Sequence, residues 1–78
     1  MSALERALLQ LLLEHHPAQL STDELTRALT AGSEDWAKRD DVAVALRELV
    51  AAGLAHRHGP FAFATHAAVQ FERIMGAA

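Results

Sequence analysis

Apolar side chains recur at helical spacing in several stretches of this 78-residue chain. Within each stretch they stand three or four positions apart, which places them on one face of an α-helix. The pattern predicts helices over residues 2–15, 21–30, 40–52 and 66–75. The apolar faces of the four helices, in chain order, are Leu4, Ala7, Leu8, Leu11 and Leu12, then Leu25, Ala28 and Leu29, then Val42, Ala45, Leu46, Leu49 and Val50, and finally Ala67, Ala68, Phe71, Ile74 and Met75.

Local signals mark where the first two helices end and begin. The residue before Pro17 avoids helical backbone angles, so the first helix is expected to end there. Ser21 and Glu24 have the spacing of a capping box, in which each side chain accepts a hydrogen bond from the backbone amide of the other residue. Residues 33–39 are expected to form a connector, where Trp36 packs over the joint between the second and third helices rather than contacting a ligand.

A short antiparallel hairpin is predicted between the third and fourth helices. Gly53 ends the third helix, and Leu54 folds back onto its last turn as in a Schellman motif. Two strands, 54–58 and 61–65, then flank a Gly-Pro turn, and Thr65 is positioned to cap the last helix. The chain is therefore predicted to be mainly α within the α+β class, with a three-helix core, a two-stranded β-hairpin and a C-terminal helix.

Composition limits what this domain does. A chain of 78 residues makes one domain, and its low aromatic content of 5% indicates an aliphatic core. The absence of cysteine excludes disulfides, thiolate metal sites and thiol nucleophiles. Glu5, Arg6 and Glu14 interrupt the N-terminal apolar stretch, which is unlike a secretory leader. No apolar run approaches the roughly 18 residues that cross a bilayer, so we expect a cytoplasmic protein without membrane contact.

The segment Leu46-Arg-Glu-Leu49-Val-Ala-Ala-Gly53-Leu54 joins the third helix to the hairpin. With the preceding helix-turn-helix order, it resembles the winged helix-turn-helix domains of bacterial transcription regulators. In that family a Leu-x-x-Leu-x-x-x-Gly-Leu pattern closes the DNA-reading helix and opens the wing. The resemblance covers nearly the whole chain. It implies a winged-helix regulator that binds double-stranded DNA, often as a homodimer formed through the terminal helices.

Six basic or imidazole side chains are the candidates for contact with DNA. Two precede or begin the third helix, one projects outward from it, and three lie on the first strand of the hairpin. Each also has the simpler interpretation of an ordinary solvated side chain. The candidates are Lys38, Arg39, Arg47, His56, Arg57 and His58.

The charge balance favours an alternative function. The chain carries a net charge of −3, whereas a general polyanion binder is basic. The wing tip, residues 58–61, also lacks the Arg or Lys that enters a minor groove. The alternative is a winged-helix protein-interaction or dimerisation module that does not touch DNA. A continuous positive strip joining Arg39, Arg47 and Arg57 would favour DNA. Exposed acidic side chains that break this strip, namely Asp40, Asp41 and Glu48, would favour protein interaction.

The terminal helices carry more apolar side chains than one buried face requires. Leu9 and Leu13 fall well off the main stripe of the first helix. Either this helix is sandwiched between core elements, or these leucines form a self-association face. The candidates for a homodimer interface are Leu9, Leu13, Phe71, Ile74 and Met75.

Metal binding and catalysis are not expected. His56, His58 and His66 could suit zinc, but there is no cysteine and no carboxylate at ligand spacing near the hairpin. The serines stand at a terminus or at cap-like positions, and no Gly-rich phosphate loop occurs. A domain of this size also leaves little room for a substrate pocket. We therefore predict no metal, no cofactor and no enzymatic activity.

Overall fold

A computed structural model describes residues 1–30 and 39–76, and within these ranges the fold is α+β. The three strands form one antiparallel sheet in the order β1-β3-β2. None of the helices in the described ranges is long and apolar enough to cross a membrane. The elements are α1 (Ala3–His15), β1 (Leu20–Ser21), α2 (Thr22–Thr30), α3 (Arg39–Ala51), β2 (Ala55–His58), β3 (Phe61–Ala64) and α4 (His66–Gly76).

The predicted helices and strands are present, and their ends lie within one residue of the predicted positions. The start of α1 has a second capping box, which the sequence also encodes but which was not predicted. Here the Ser2 hydroxyl accepts from the Glu5 amide at 3.1 Å, and the Glu5 carboxylate accepts from the Ser2 amide at 2.9 Å. The predicted connector lies almost entirely outside the described residues, and so do the predictions for Lys38 and Trp36.

The predicted two-stranded hairpin is present as β2 and β3, but the sheet has a third strand that was not predicted. In the added strand β1, Leu20 pairs with Ala62 and Ser21 pairs with Phe61. A strand of two residues has no periodicity of its own, because it exists only through its non-local partner. Ser21 also caps α2: its hydroxyl accepts from the Glu24 amide at 3.1 Å, and its amide donates to the Glu24 carboxylate at 2.9 Å. The capping-box prediction is therefore confirmed.

The core is aliphatic and lies between the helices and one face of the sheet. Its largest fully buried side chains are Leu8, Leu12, Leu25, Val42, Leu46 and Leu49. The sheet contributes alanines, with Ala62 and Ala64 on β3 almost completely buried. Such small side chains allow α1 to pack closely on the sheet. Two predicted core residues, Ala28 and Val50, are instead exposed. On α2 and α3, the face that packs against the core is narrower than the stripe of apolar residues in the sequence.

The end of α3 has the predicted Schellman geometry. The Leu54 amide donates to the Leu49 carbonyl at 2.9 Å, and the Gly53 amide donates to the Val50 carbonyl at 3.0 Å. Gly53 has a φ of +78°, in the left-handed region that glycine enters without steric cost. The chain thus reverses within two residues and passes directly into β2.

Thr65 fastens the start of α4 to this reversal. Its hydroxyl donates to the Gly53 carbonyl at 2.8 Å and accepts from the Ala68 amide at 3.1 Å. Its own amide donates to the Leu54 carbonyl at 3.1 Å. Thr65 is therefore the predicted N-cap of α4, and it also fixes where α4 leaves the sheet.

Candidate functional site

An apolar groove of about 340 Å³ lies between α1 and α4. Leu9 and Leu13 form its α1 wall, and Phe71 and Met75 form its α4 wall. Leu54 and Ala68 also line it, although no sequence signal marked these two positions as part of a site. We call this feature, together with the exposed apolar side chains of α4 beside it, the α1–α4 face.

The structure brings together four of the five candidate dimer residues. Leu9, Leu13, Phe71 and Met75 line the groove, whereas Ile74 does not line it but is exposed on the same helix. Leu9 and Leu13 are half-buried and pack against the core, so they serve the fold as well as the groove. Packing against the core therefore accounts for part of the apolar surface of these two leucines, and self-association through them stays a prediction.

Helix α4 is poorly covered by the rest of the chain. Ala68 is its only fully buried residue. Phe71, Ile74 and Met75 are 61%, 69% and 61% exposed. Isolated exposed apolar side chains are common on protein surfaces, but three large ones within five residues form a patch. Phe71 and Met75 of this patch also line the groove, so the α1–α4 face is a continuous apolar surface.

The rim of this face carries an acidic side chain, because Glu72 lines the groove. The next residue, Arg73, is exposed on the other side of α4, about 160° around the helix from Met75.

Arg39, one of the DNA candidates, is held in an ion pair. Its Nε donates to the Asp23 carboxylate at 2.6 Å, and this hydrogen bond raises the pKa of Arg39. The pair links the first residue of α3 to α2 on an exposed surface. A guanidinium that already has a carboxylate partner is less suited to neutralising phosphate.

The exposed surface of α3 has mixed charge. Asp40, Asp41 and Glu48 are all exposed on the same helix as Arg47. The strip that would join Arg39, Arg47 and Arg57 therefore has acidic side chains exposed within it. Across α3, two arginines stand against three carboxylates.

The remaining DNA candidates, His56, Arg57 and His58, are exposed on β2. His56 lies opposite Phe63 in the ladder, and their ring centroids are 5.4 Å apart. In the described ranges, no group of three or more His, Asp or Glu side chains is arranged to hold a metal ion. The hairpin presents basic, imidazole and aromatic side chains to solvent.

Relatives add no information about any of these surfaces. Comparison of the chain with protein-family models, with curated proteins and with solved structures found no match.

Proposed function

We propose that this protein is a winged-helix domain that acts as a protein-interaction module, and that it pairs with a second copy of itself through the α1–α4 face. The order of elements, a helical pair followed by an antiparallel hairpin, agrees with the winged-helix resemblance. The observation that carries the proposal is the uncovered apolar side of α4 beside the groove. Function follows from this surface rather than from the fold, because one fold supports many functions.

The size of the patch suits a small dimer interface. A large side chain has roughly 200 Å² of surface, so Phe71, Ile74 and Met75 together leave on the order of 400 Å² of apolar surface in water. Two copies would bury about 800 Å² of it. Since homodimer interfaces are about 65% apolar, this corresponds to about 1,200 Å² in total, the lower limit for stable complexes.

A second copy suits this face because it presents the same uncovered apolar side chains, so that a two-fold pair covers both sets at once. The charge of the chain also favours a protein partner over nucleic acid, since its net charge is −3. The mixed charge of α3 further supports an interaction module over a nucleic-acid reader, because phosphate neutralisation supplies much of DNA affinity.

The test is the oligomeric mass of the full chain by sedimentation equilibrium over a wide concentration range. We expect a reversible dimer for the wild type and a monomer for Phe71→Glu, because that change places a charge in the interface. His66→Glu is the matched control: it adds a negative charge at an exposed position of α4 that lies outside the groove and points away from Phe71. Leu9→Glu combined with Leu13→Glu should also give monomers.

Two results would overturn the proposal. One is a wild-type chain that stays monomeric at concentrations of roughly 1 mM, which corresponds to a binding free energy weaker than about −4 kcal/mol. The other is a Phe71→Glu dimer with the same dissociation constant as the His66→Glu dimer. Circular dichroism of each variant establishes that the monomers are folded.

Binding of double-stranded DNA is the second candidate function. It is favoured by the exposure of Arg47 on α3 and of Arg57 on β2, the two elements that a winged helix directs towards DNA. The test is a salt titration against a pool of short duplexes, with Arg47→Gln compared with Arg73→Gln. If no duplex binds better than micromolar at about 50 mM salt, this candidate fails, because even non-specific binders approach that range.

A further inference from the structure

Met75 belongs both to the groove and to the uncovered side of α4. Its side chain lines the groove and is 61% exposed. Phe71, four positions earlier, is equally exposed and also lines the groove, so the thioether and the phenyl ring are neighbours on one face of the helix. In a single copy Met75 is therefore open to water, and it lies within the α1–α4 face that pairs in the proposed dimer.

The chain contains only two sulfur atoms. It has no cysteine, and its second methionine is Met1. Cysteine and methionine are the residues that peroxides oxidise at sulfur. An oxidant that reaches the α1–α4 face therefore meets the Met75 thioether with no thiol to compete for it. Met1 is 62% exposed, so it serves as an internal reference for the reactivity of an exposed thioether.

We propose that Met75 is a modification site, at which oxidation of the thioether to the sulfoxide dissociates the proposed dimer. In this reaction the sulfur attacks one oxygen of hydrogen peroxide, and an S–O bond forms as the O–O bond breaks. The sulfur loses two electrons and the peroxide gains them. The transferred oxygen gives up its proton to the departing hydroxide, which leaves as water. The inference rests on the proposed function, because it concerns the control of the same face.

The groove is poorly suited to a sulfoxide. The sulfoxide oxygen is polar and accepts hydrogen bonds, whereas Leu9, Leu13 and Phe71 offer it only hydrocarbon. Glu72 has the one polar side chain among the described residues that line the groove, and an ionised carboxylate donates no hydrogen bond. Burial between two copies would therefore leave the oxygen without a side-chain donor from the groove. In a single copy the oxygen stays in water, so oxidation favours monomers.

Pairing and oxidation oppose each other by mass action. Two copies that pair through the α1–α4 face cover Met75, so peroxide reacts with it in the single copies. Pairing therefore protects the thioether, and oxidation removes copies from the pairing equilibrium. Methionine sulfoxide reductases restore the thioether, which makes the change reversible.

The test is sedimentation equilibrium of the full chain before and after treatment with hydrogen peroxide. Peptide mass spectrometry locates the added oxygen, and circular dichroism establishes that the oxidised chain is folded. Because an oxidised dimer buries two sulfoxides, its dissociation constant should rise at least about tenfold. Treatment with methionine sulfoxide reductases should restore the original value. Oxidation of Met75 relative to Met1 should also slow as the protein concentration rises through the dissociation constant.

Met75→Leu is the matched control, because it keeps an apolar side chain of similar volume and leaves Met1 as the only thioether. Whatever the dissociation constant of this variant, peroxide should not change it. A rise as large as that of the wild type would place the effect away from Met75 and overturn the proposal.

Two further results would contradict the inference and leave the proposed dimer intact. One is a wild-type chain whose Met75 is fully oxidised and whose dissociation constant is unchanged. The other is a Met75 that stays reduced in dilute protein while Met1 is oxidised. A chain that is monomeric before any peroxide is added gives a different answer: it overturns the proposed function, and control by oxidation fails with it.

Discussion

Thr65→Val tests how the α1–α4 face is held in place. Valine keeps the shape of threonine but removes the hydroxyl, which contacts both the Gly53 carbonyl and the Ala68 amide. Thr65 is only 5% exposed, so water cannot readily replace the lost partner. The variant therefore isolates two hydrogen bonds, one that joins Thr65 to the end of α3 and one that caps the start of α4.

The expected loss of stability is large for a chain of this size. An unsatisfied buried donor or acceptor costs about 1–3 kcal/mol, and loss of an N-cap costs about 1 kcal/mol. Because the cap and one of these bonds are the same contact, we expect a total of about 3 kcal/mol. A domain of 60–100 residues loses about 4–8 °C of Tm per kcal/mol. Thr65→Val should therefore lower Tm by more than about 10 °C.

Thermal unfolding followed by circular dichroism, at one fixed protein concentration, is the assay. Thr65→Ser is the matched control: it retains the hydroxyl and loses a methyl group, which contributes about 0.8 kcal/mol. The reasoning is refuted if Thr65→Val unfolds at the same temperature as Thr65→Ser, because the two hydrogen bonds would then contribute nothing net to stability.

Three further predictions concern other contacts. The backbone and side-chain hydrogen bonds with Ser21 lower the pKa of Glu24 below its ordinary value of 4.5. The ionised Glu24 therefore stabilises the folded state fully above pH 4.5, and this contribution is lost as the pH falls through the lowered pKa. Glu24→Gln should accordingly flatten the acid limb of a Tm–pH curve. Gly53→Ala should cost about 1–2 kcal/mol in urea unfolding from its positive φ alone, since an added Cβ meets no atom within 4 Å. Ile74→Glu should weaken the dimer, because Ile74 is 69% exposed on the same side of α4 as Phe71, and sedimentation equilibrium beside His66→Glu measures the difference.

Element positions were predictable because their signals are local. A hydroxyl and a carboxylate three residues apart specify the start of α2, and a glycine followed by an apolar residue specifies the end of α3. The same logic was available at Ser2 and Glu5, where the spacing is identical to that of Ser21 and Glu24. Strand β1 had no such signal, because its two residues are ordered by pairing with β3.

The surfaces were less predictable because periodicity assigns residues to faces without saying what covers each face. Alternation separated Phe61 and Phe63 from Ala62 and Ala64, but it could not show that the alanines face the core. That choice depends on how closely α1 approaches the sheet, which is a tertiary property. In the same way, the pattern of α4 indicated an apolar side, and only the packing showed that Phe71 remains exposed on it.

The proposed dimer and the second candidate function have opposite dependences on salt. Two copies that each carry a charge of −3 repel one another, so added salt screens the repulsion and should strengthen a largely apolar dimer. Duplex binding through Arg47 and Arg57 would instead weaken about twelvefold between about 50 and 200 mM salt, given a slope of about −0.9 per neutralised phosphate. Dimer mass and duplex affinity measured over one salt series therefore test the two functions, because added salt should strengthen the dimer and weaken duplex binding. A dimer that dissociates as salt rises would show that ion pairs, rather than the apolar side of α4, hold it together.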